Sequence, residues 1–188
     1  MRKIVCLVSL ILVLVMITGL IDGANSQAVG PVQVLAALHG KGRIRLVYHA
    51  ANFFATGQRY EAFKKTITEN YPEITIVAEQ GIREPSFFKD PDRAASVMLA
   101  TNPNLVAIWA VWDLPAEGVN SAVRAGLRDD LVITTIDLGL NVAAEMARNK
   151  LIRGVGAQRW MIRALRKRFK ALEPPWVRWT SLPSRLSA

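Results

Sequence analysis

The sequence predicts an α/β fold in three layers, a parallel sheet with helices on both faces. Three observations predict it. Five short apolar segments alternate with stretches of helical spacing, the pattern of successive βαβ units. Several of the five are almost wholly apolar, as strands buried on both faces are. Breakers punctuate the joins, at Gly40-Lys41-Gly42, Tyr71-Pro72 and Asn102-Pro103-Asn104.

The first strand is predicted over 43–48 (RIRLVY), where basic and apolar residues alternate after the glycine turn. A helix follows over 56–70, with Tyr60, Phe63 and Ile67 at i, i+3 and i+7. It stops at Tyr71, because proline disfavours helical backbone in the residue before it. Residues 73–78 (EITIVA) make the second strand. The second helix is predicted over 92–101, with Ala94, Ala95, Met98 and Leu99 on one face. Residues 105–111 (LVAIWAV) form the third strand. The helix over 115–127 has Asp113 or Leu114 near its start and Gly126 near its end. The fourth strand is 131–137 (LVITTID), followed by a short helix over 141–150 and a last strand over 151–157 (LIRGVGA).

Charge is unevenly distributed along the 188 residues. The formal net charge is +9, yet from Arg159 onward eight Lys/Arg face the single acid Glu173, a balance of +7 that leaves +2 for everything before it. A nucleic-acid-binding domain needs a basic face on its folded body, and this body is close to neutral. One cysteine, Cys6, permits no intramolecular disulfide. With only His39 and His49 beside it, zinc held by Cys/His ligands is excluded, and no metal site is expected.

At the N-terminus, Met1-Arg2-Lys3 precedes the uncharged apolar run 4–21, and Ser26-Gln27-Ala28 offers a small-x-small cleavage site. The run suits a cleaved signal peptide, and its length also suits a retained membrane anchor. Both readings mean export, to the periplasm or cell envelope. Three regions are expected: 1–28 as signal or anchor, 29–159 as the α/β lobe, and 160–188 as a basic tail.

In a parallel sheet the carboxyl ends of all strands point to one rim, where open α/β folds bind ligands. That rim is predicted to gather 52–59, 81–88, Trp112-Asp113, Asp137 and Gln158-Arg159. Carboxylate, amide and guanidinium groups bind hydroxyls, and aromatic faces pack on the C–H faces of a sugar ring. Each residue also has a plainer reading. Asp113 can cap the following helix, Asp137 can be a solvated acid, Trp109 and Trp112 can be core, and Arg59 can lie on a solvated helix face. Catalytic signals are weak. There is no Ser/His/Asp arrangement, neither histidine is expected at the rim beside a nucleophile, and no Gly-rich phosphate loop is present. No cofactor is expected, and an α/β enzyme ranks low.

Taken in order, 40–48, 57–63 (GQRYEAF), 102–126 (NPNLVAIWAVWDLPAEGVNSAVRAG), 129–139 (DDLVITTIDLG) and 153–159 (RGVGAQR) carry a resemblance. The chain resembles the C-terminal lobe of periplasmic sugar-binding proteins of ABC transporters, the ribose/galactose-binding, LacI-like type. The resemblance implies one lobe of a type 1 periplasmic binding protein, with a small-molecule sugar held between two lobes by hinge closure and an ABC permease as partner. The arginine of the family's R-x-x-x-F helix start falls on Arg59, its strand-end aspartate on Asp137, and the glutamine of its A-Q strand end on Gln158. The family's Asn-Asp at the third strand is Trp112-Asp113 here, so Trp112 is placed to stack on a ring instead of hydrogen-bonding it. A further stacking aromatic corresponds to Phe87 or Phe88. The export segment runs almost directly into this lobe, which implies a truncated member with one cleft wall and weakened or lost binding.

Beyond Arg159 the family's D-Q-G turn is replaced by WMIRALRKRFKAL. As written, 160–172 is a basic amphipathic helix suited to an anionic membrane surface. Trp160 and Met161 each have one codon, and with Ile162 they read Asp-Asp in a shifted frame. A frameshifted tail is therefore the expectation, with a membrane-active tail as the other reading. The functional alternative from another class is a membrane-anchored sensory or interaction module, held by 4–21 and assisted by the tail.

Overall fold

The computed structural model of the chain describes residues 40–156, apart from 52 and 149. Along it run β1 (Gly42–His49), α1 (Phe54–Asn70), β2 (Ile74–Ile82), α2 (Lys89–Thr101), β3 (Leu105–Ala110), α3 (Asp113–Ala125), β4 (Val132–Ile136), α4 (Leu140–Ala147) and β5 (Ile152–Gly156). The strands form one sheet in the order β2-β1-β3-β4-β5, with every neighbouring pair parallel.

Helices lie on both faces. Phe63 and Ile67 of α1 pack with Ile44, Leu46, Ala107 and Trp109, and Phe63 stacks on Trp109 at 4.6 Å. The other face takes Ala95 and Met98 of α2, Ala116, Val119 and Val123 of α3, and Val142 of α4, against Val47, Ile108 and Ile133. All five residues of β4 are buried, as expected of an inner strand covered on both sides. The edge strand β2 alternates more loosely and leaves Thr75, Glu79 and Gln80 exposed. Lys64 of α1 bridges to Glu79 at 3.0 Å, which fastens the helix to that edge.

The element boundaries depart from the sequence reading for identifiable reasons. Strand β2 continues to Ile82 because it pairs with β1 as far as His49↔Ile82, and pairing holds the polar Glu79-Gln80 that the apolar pattern leaves out. Helix α2 begins at Lys89 and α3 at Asp113, ahead of their expected starts. Pro91 and Pro115 lie in the first turns, where a missing N–H breaks no helical hydrogen bond. Helix α3 ends at Ala125, and the left-handed residue past its end is Leu127 (φ 53°), not Gly126 (φ −80°). The Arg128 N–H then returns to the Val123 carbonyl at 3.2 Å. Gly118 lets α2 and α3 close: a Cβ there would stand 2.3 Å from the Phe88 carbonyl oxygen.

Candidate functional site at the strand ends

Strand order reverses at β1: the chain moves to β2 on one side of it and then to β3 on the other. The crevice outside the carboxyl ends of β1 and β3 is the topological switch point of such a sheet. His49, Trp112-Asp113 and Asp137 stand at the ends of β1, β3 and β4.

Arg59 and Asp137 meet there. The guanidinium donates through Nη1 to Oδ2 at 2.8 Å and through Nη2 to Oδ1 at 3.2 Å, a two-pronged, charge-assisted contact. Their side chains are only 14% and 25% exposed. Arg59 is therefore not on a solvated helix face, and Asp137 is not a solvated loop acid. Arg59 projects from α1, not from a strand end. Asp137 adopts φ 69°, a left-handed conformation that aspartate tolerates better than most residues. Its N–H donates to the Gly156 carbonyl at 2.8 Å, so the chain leaves β4 while still tied to β5.

Asp113 is the second carboxylate. The N-cap residue of α3 is Trp112, which forms no side-chain cap, and Asp113 sits in the first turn with Oδ1 accepting the Leu114 N–H at 2.9 Å. Its Oδ2 occupies the space left by the missing side chain of Gly139, where a Cβ would lie 2.3 Å away. Burial pushes the Asp113 carboxyl up from its ordinary range, and the nearby charges of Asp137 and Glu117 add to the effect.

Aromatic rings fill the space beside these acids. Phe87 and Trp112 meet edge to face at 5.0 Å, and each stands nearly perpendicular to the His49 ring at 5.3 Å. Phe53 stacks against His49 at 5.1 Å. Trp109 is core, whereas Trp112 is half-buried in this cluster. Of the two phenylalanines proposed for stacking, Phe87 joins the cluster and Phe88 is largely exposed. His49, the last residue of β1, does reach the rim, where it lies among aromatic rings. Its place in β1 beside the switch point was the one signal available, and it lacked any motif.

The predicted site residues Arg59, Trp112, Asp113 and Asp137 thus share one end of the sheet, while Gln158, with Arg159 and the tail, lies outside the described residues. The apolar run 4–21 does as well, and among the described residues no helix is long and apolar enough to cross a membrane. Nor do they contain a group of three or more His, Cys, Asp or Glu side chains able to hold a metal ion. A separate polar cleft of about 490 Å³ opens between α3 and α4, lined by Glu117, Asn120, Arg124, Glu145 and Arg148; Phe88 also borders it, whereas Arg59, Trp112, Asp113 and Asp137 do not.

Comparison with known proteins gives the same fold. An ABC sugar transporter subunit from Rhodobacter sphaeroides superposes with a TM-score of 0.63 at 24% identity, covering 81% of this chain and 58% of that one. A periplasmic solute binding protein from Actinobacillus succinogenes, solved with bound D-allose, gives 0.63 at 24% identity over 80% of this chain and 54% of that one. The arabinose-binding protein AraP of Geobacillus stearothermophilus gives 0.62 at 16% identity over 71% and 45%. The chain spans about half the length of these solved structures. No curated protein matches it. The family described as the periplasmic binding protein domain matches residues 23–160. The chain belongs to the periplasmic binding protein domain family.

Proposed function

We propose that the chain is a sugar-binding component of an ABC importer, acting outside the cytoplasm with a permease as partner. The observation that carries this reading is the Arg59–Asp137 pair, set beside the Trp112–Phe87 edge at the switch point. Such a surface offers fixed hydroxyl-binding groups next to an apolar face, which is what a sugar ring presents. Solved structures of the same fold support it, since those from Actinobacillus succinogenes and Agrobacterium radiobacter hold D-allose and D-arabinose. In this reading 29–159 form the binding lobe, 1–28 direct export, and Gln158 joins Arg59, Trp112, Asp113 and Asp137 at the ligand. In the same reading the lobe forms one wall of a cleft and binds its sugar weakly by itself.

Isothermal titration of the chain with a panel of pentoses and hexoses tests the reading. Saturable heat with one or a few sugars, lost in Asp137→Ala, supports it. No heat with any pentose or hexose overturns it.

A further inference from the structure

His49 is held on three sides. Phe53 stacks on its ring at 5.1 Å and 11°, and Phe87 and Trp112 meet it edgewise at 84° and 75°. Among these rings the Trp112 indole N–H can only donate, and His49 alone has a ring nitrogen able to accept a hydrogen bond.

One of the two is already engaged. Nδ1 lies 3.2 Å from the Thr56 hydroxyl oxygen. That hydroxyl has a single proton and donates it to the Phe53 carbonyl at 3.3 Å. With that proton on the carbonyl, the oxygen faces Nδ1 as an acceptor, an arrangement in which Nδ1 would carry the imidazole proton. In neutral imidazole the other nitrogen is then a lone-pair acceptor. Among the described residues Nε2 makes no hydrogen bond. Arg59, by contrast, is a donor-only group engaged at both prongs by Asp137.

We propose that His49 is a specificity-determining residue of this site. Its Nε2, held as an acceptor by Thr56, accepts a hydrogen bond from a ligand hydroxyl at the aromatic end of the crevice. Thr56 is a positioning residue that acts only through the ring. The inference rests on the sugar-binding reading for its ligand, but its tautomer claim does not. A sugar hydroxyl that both stacks beside Trp112 and donates to Nε2 is distinguished from the corresponding deoxy or O-methyl position, which has no proton to give. A site built around a partly buried acceptor discriminates against ligands that leave it unpaired.

Two measurements on the full chain test this. The first is the ¹⁵N shifts of the His49 ring without ligand, which report the protonated nitrogen. The expected result is Nδ1–H in the wild type, a shift toward Nε2–H in Thr56→Val, and retention of Nδ1–H in Thr56→Ser. An Nε2–H wild type, or a Thr56→Val variant with an unchanged ring, overturns the inference whatever the sugar does. The second is titration with whichever sugar of the panel gives heat. His49→Phe keeps the ring stacking and is expected to lose about tenfold in affinity, the scale of one neutral hydrogen bond, while Thr56→Val loses less. If that sugar binds His49→Phe as tightly as wild type, this inference fails and the sugar-binding reading stands. If no sugar binds the wild type, that reading and the ligand role of His49 fall together, whatever the tautomer.

Discussion

Arg59 and Asp137 are 78 residues apart in the chain and are joined by two hydrogen bonds at the rim of the sheet, at 2.8 and 3.2 Å. The contact ties α1, which covers one face, to the end of β4. It also fixes a carboxylate whose backbone is left-handed.

Removing the guanidinium should leave Asp137 largely buried and unpaired. Arg59→Ala is expected to cost about 1.5–3 kcal/mol, the range for a hydrogen-bonded charged group, and Arg59→Lys less, because an ammonium cannot bridge both oxygens. Urea denaturation checks it: the midpoint should fall with an unchanged slope.

Asp137 separates charge from backbone conformation. Asp137→Asn loses the ion pair but keeps a residue that accepts φ near 69°. Asp137→Ala loses the pair and places an ordinary Cβ in a left-handed conformation, at about 1 kcal/mol more. Equal thermal midpoints for the two variants would refute the backbone part of this account.

Two glycines should behave differently under the same substitution. In Gly118→Ala the new Cβ meets the Phe88 carbonyl at 2.3 Å, a backbone atom, so α2 and α3 must separate. A loss of about 1–3 kcal/mol is expected, the usual cost of overpacking. In Gly139→Ala the Cβ meets only the Asp113 carboxylate, which can rotate away. Stability should change little, while ligand affinity at the rim falls. Thermal unfolding and titration calorimetry on both variants decide the matter.

Asp113 predicts a pH dependence. Its folded carboxyl titrates above the ordinary range because burial disfavours the charge. Above the folded value it is ionised in both states, and the folded state alone bears the burial penalty. Below the unfolded value it is neutral in both, and the penalty is gone. Its contribution therefore destabilises the fold at neutral pH and disappears as pH falls through the folded value to the unfolded one. Asp113→Asn keeps an acceptor for the Leu114 N–H and should be the more stable protein at pH 7. The difference should shrink in acid, and chemical denaturation at pH 7 and near pH 3 reads it. A wild type more stable than the variant at pH 7 would show that the helix N-terminus outweighs burial.

Much of this architecture can be read along the chain. Phe63 and Ile67 mark the buried face of α1 by their spacing, and the unbroken run from Leu105 to Ala110 marks an inner strand. Pro91 and Pro115 stand two residues inside their helices, because a proline in the first turn removes no helical hydrogen bond. Glu79 and Gln80 look like loop and are strand, because backbone pairing with β1 does not depend on their side chains. His49 escapes notice for a different reason: its partners Phe53, Phe87 and Trp112 come from three separate connections, and no spacing relates them.

Sequence alone determined the alternation of strand and helix, the layered class, and the approximate end of every strand but β2, because apolar period and breakers act over a few residues. Tertiary structure decided which of those ends meet. The order β2-β1-β3-β4-β5 brings Arg59 onto Asp137, fits Asp113 against Gly139, and closes three aromatic rings around His49. These are contacts between distant segments, made possible only when the sheet aligns its carboxyl ends on one rim.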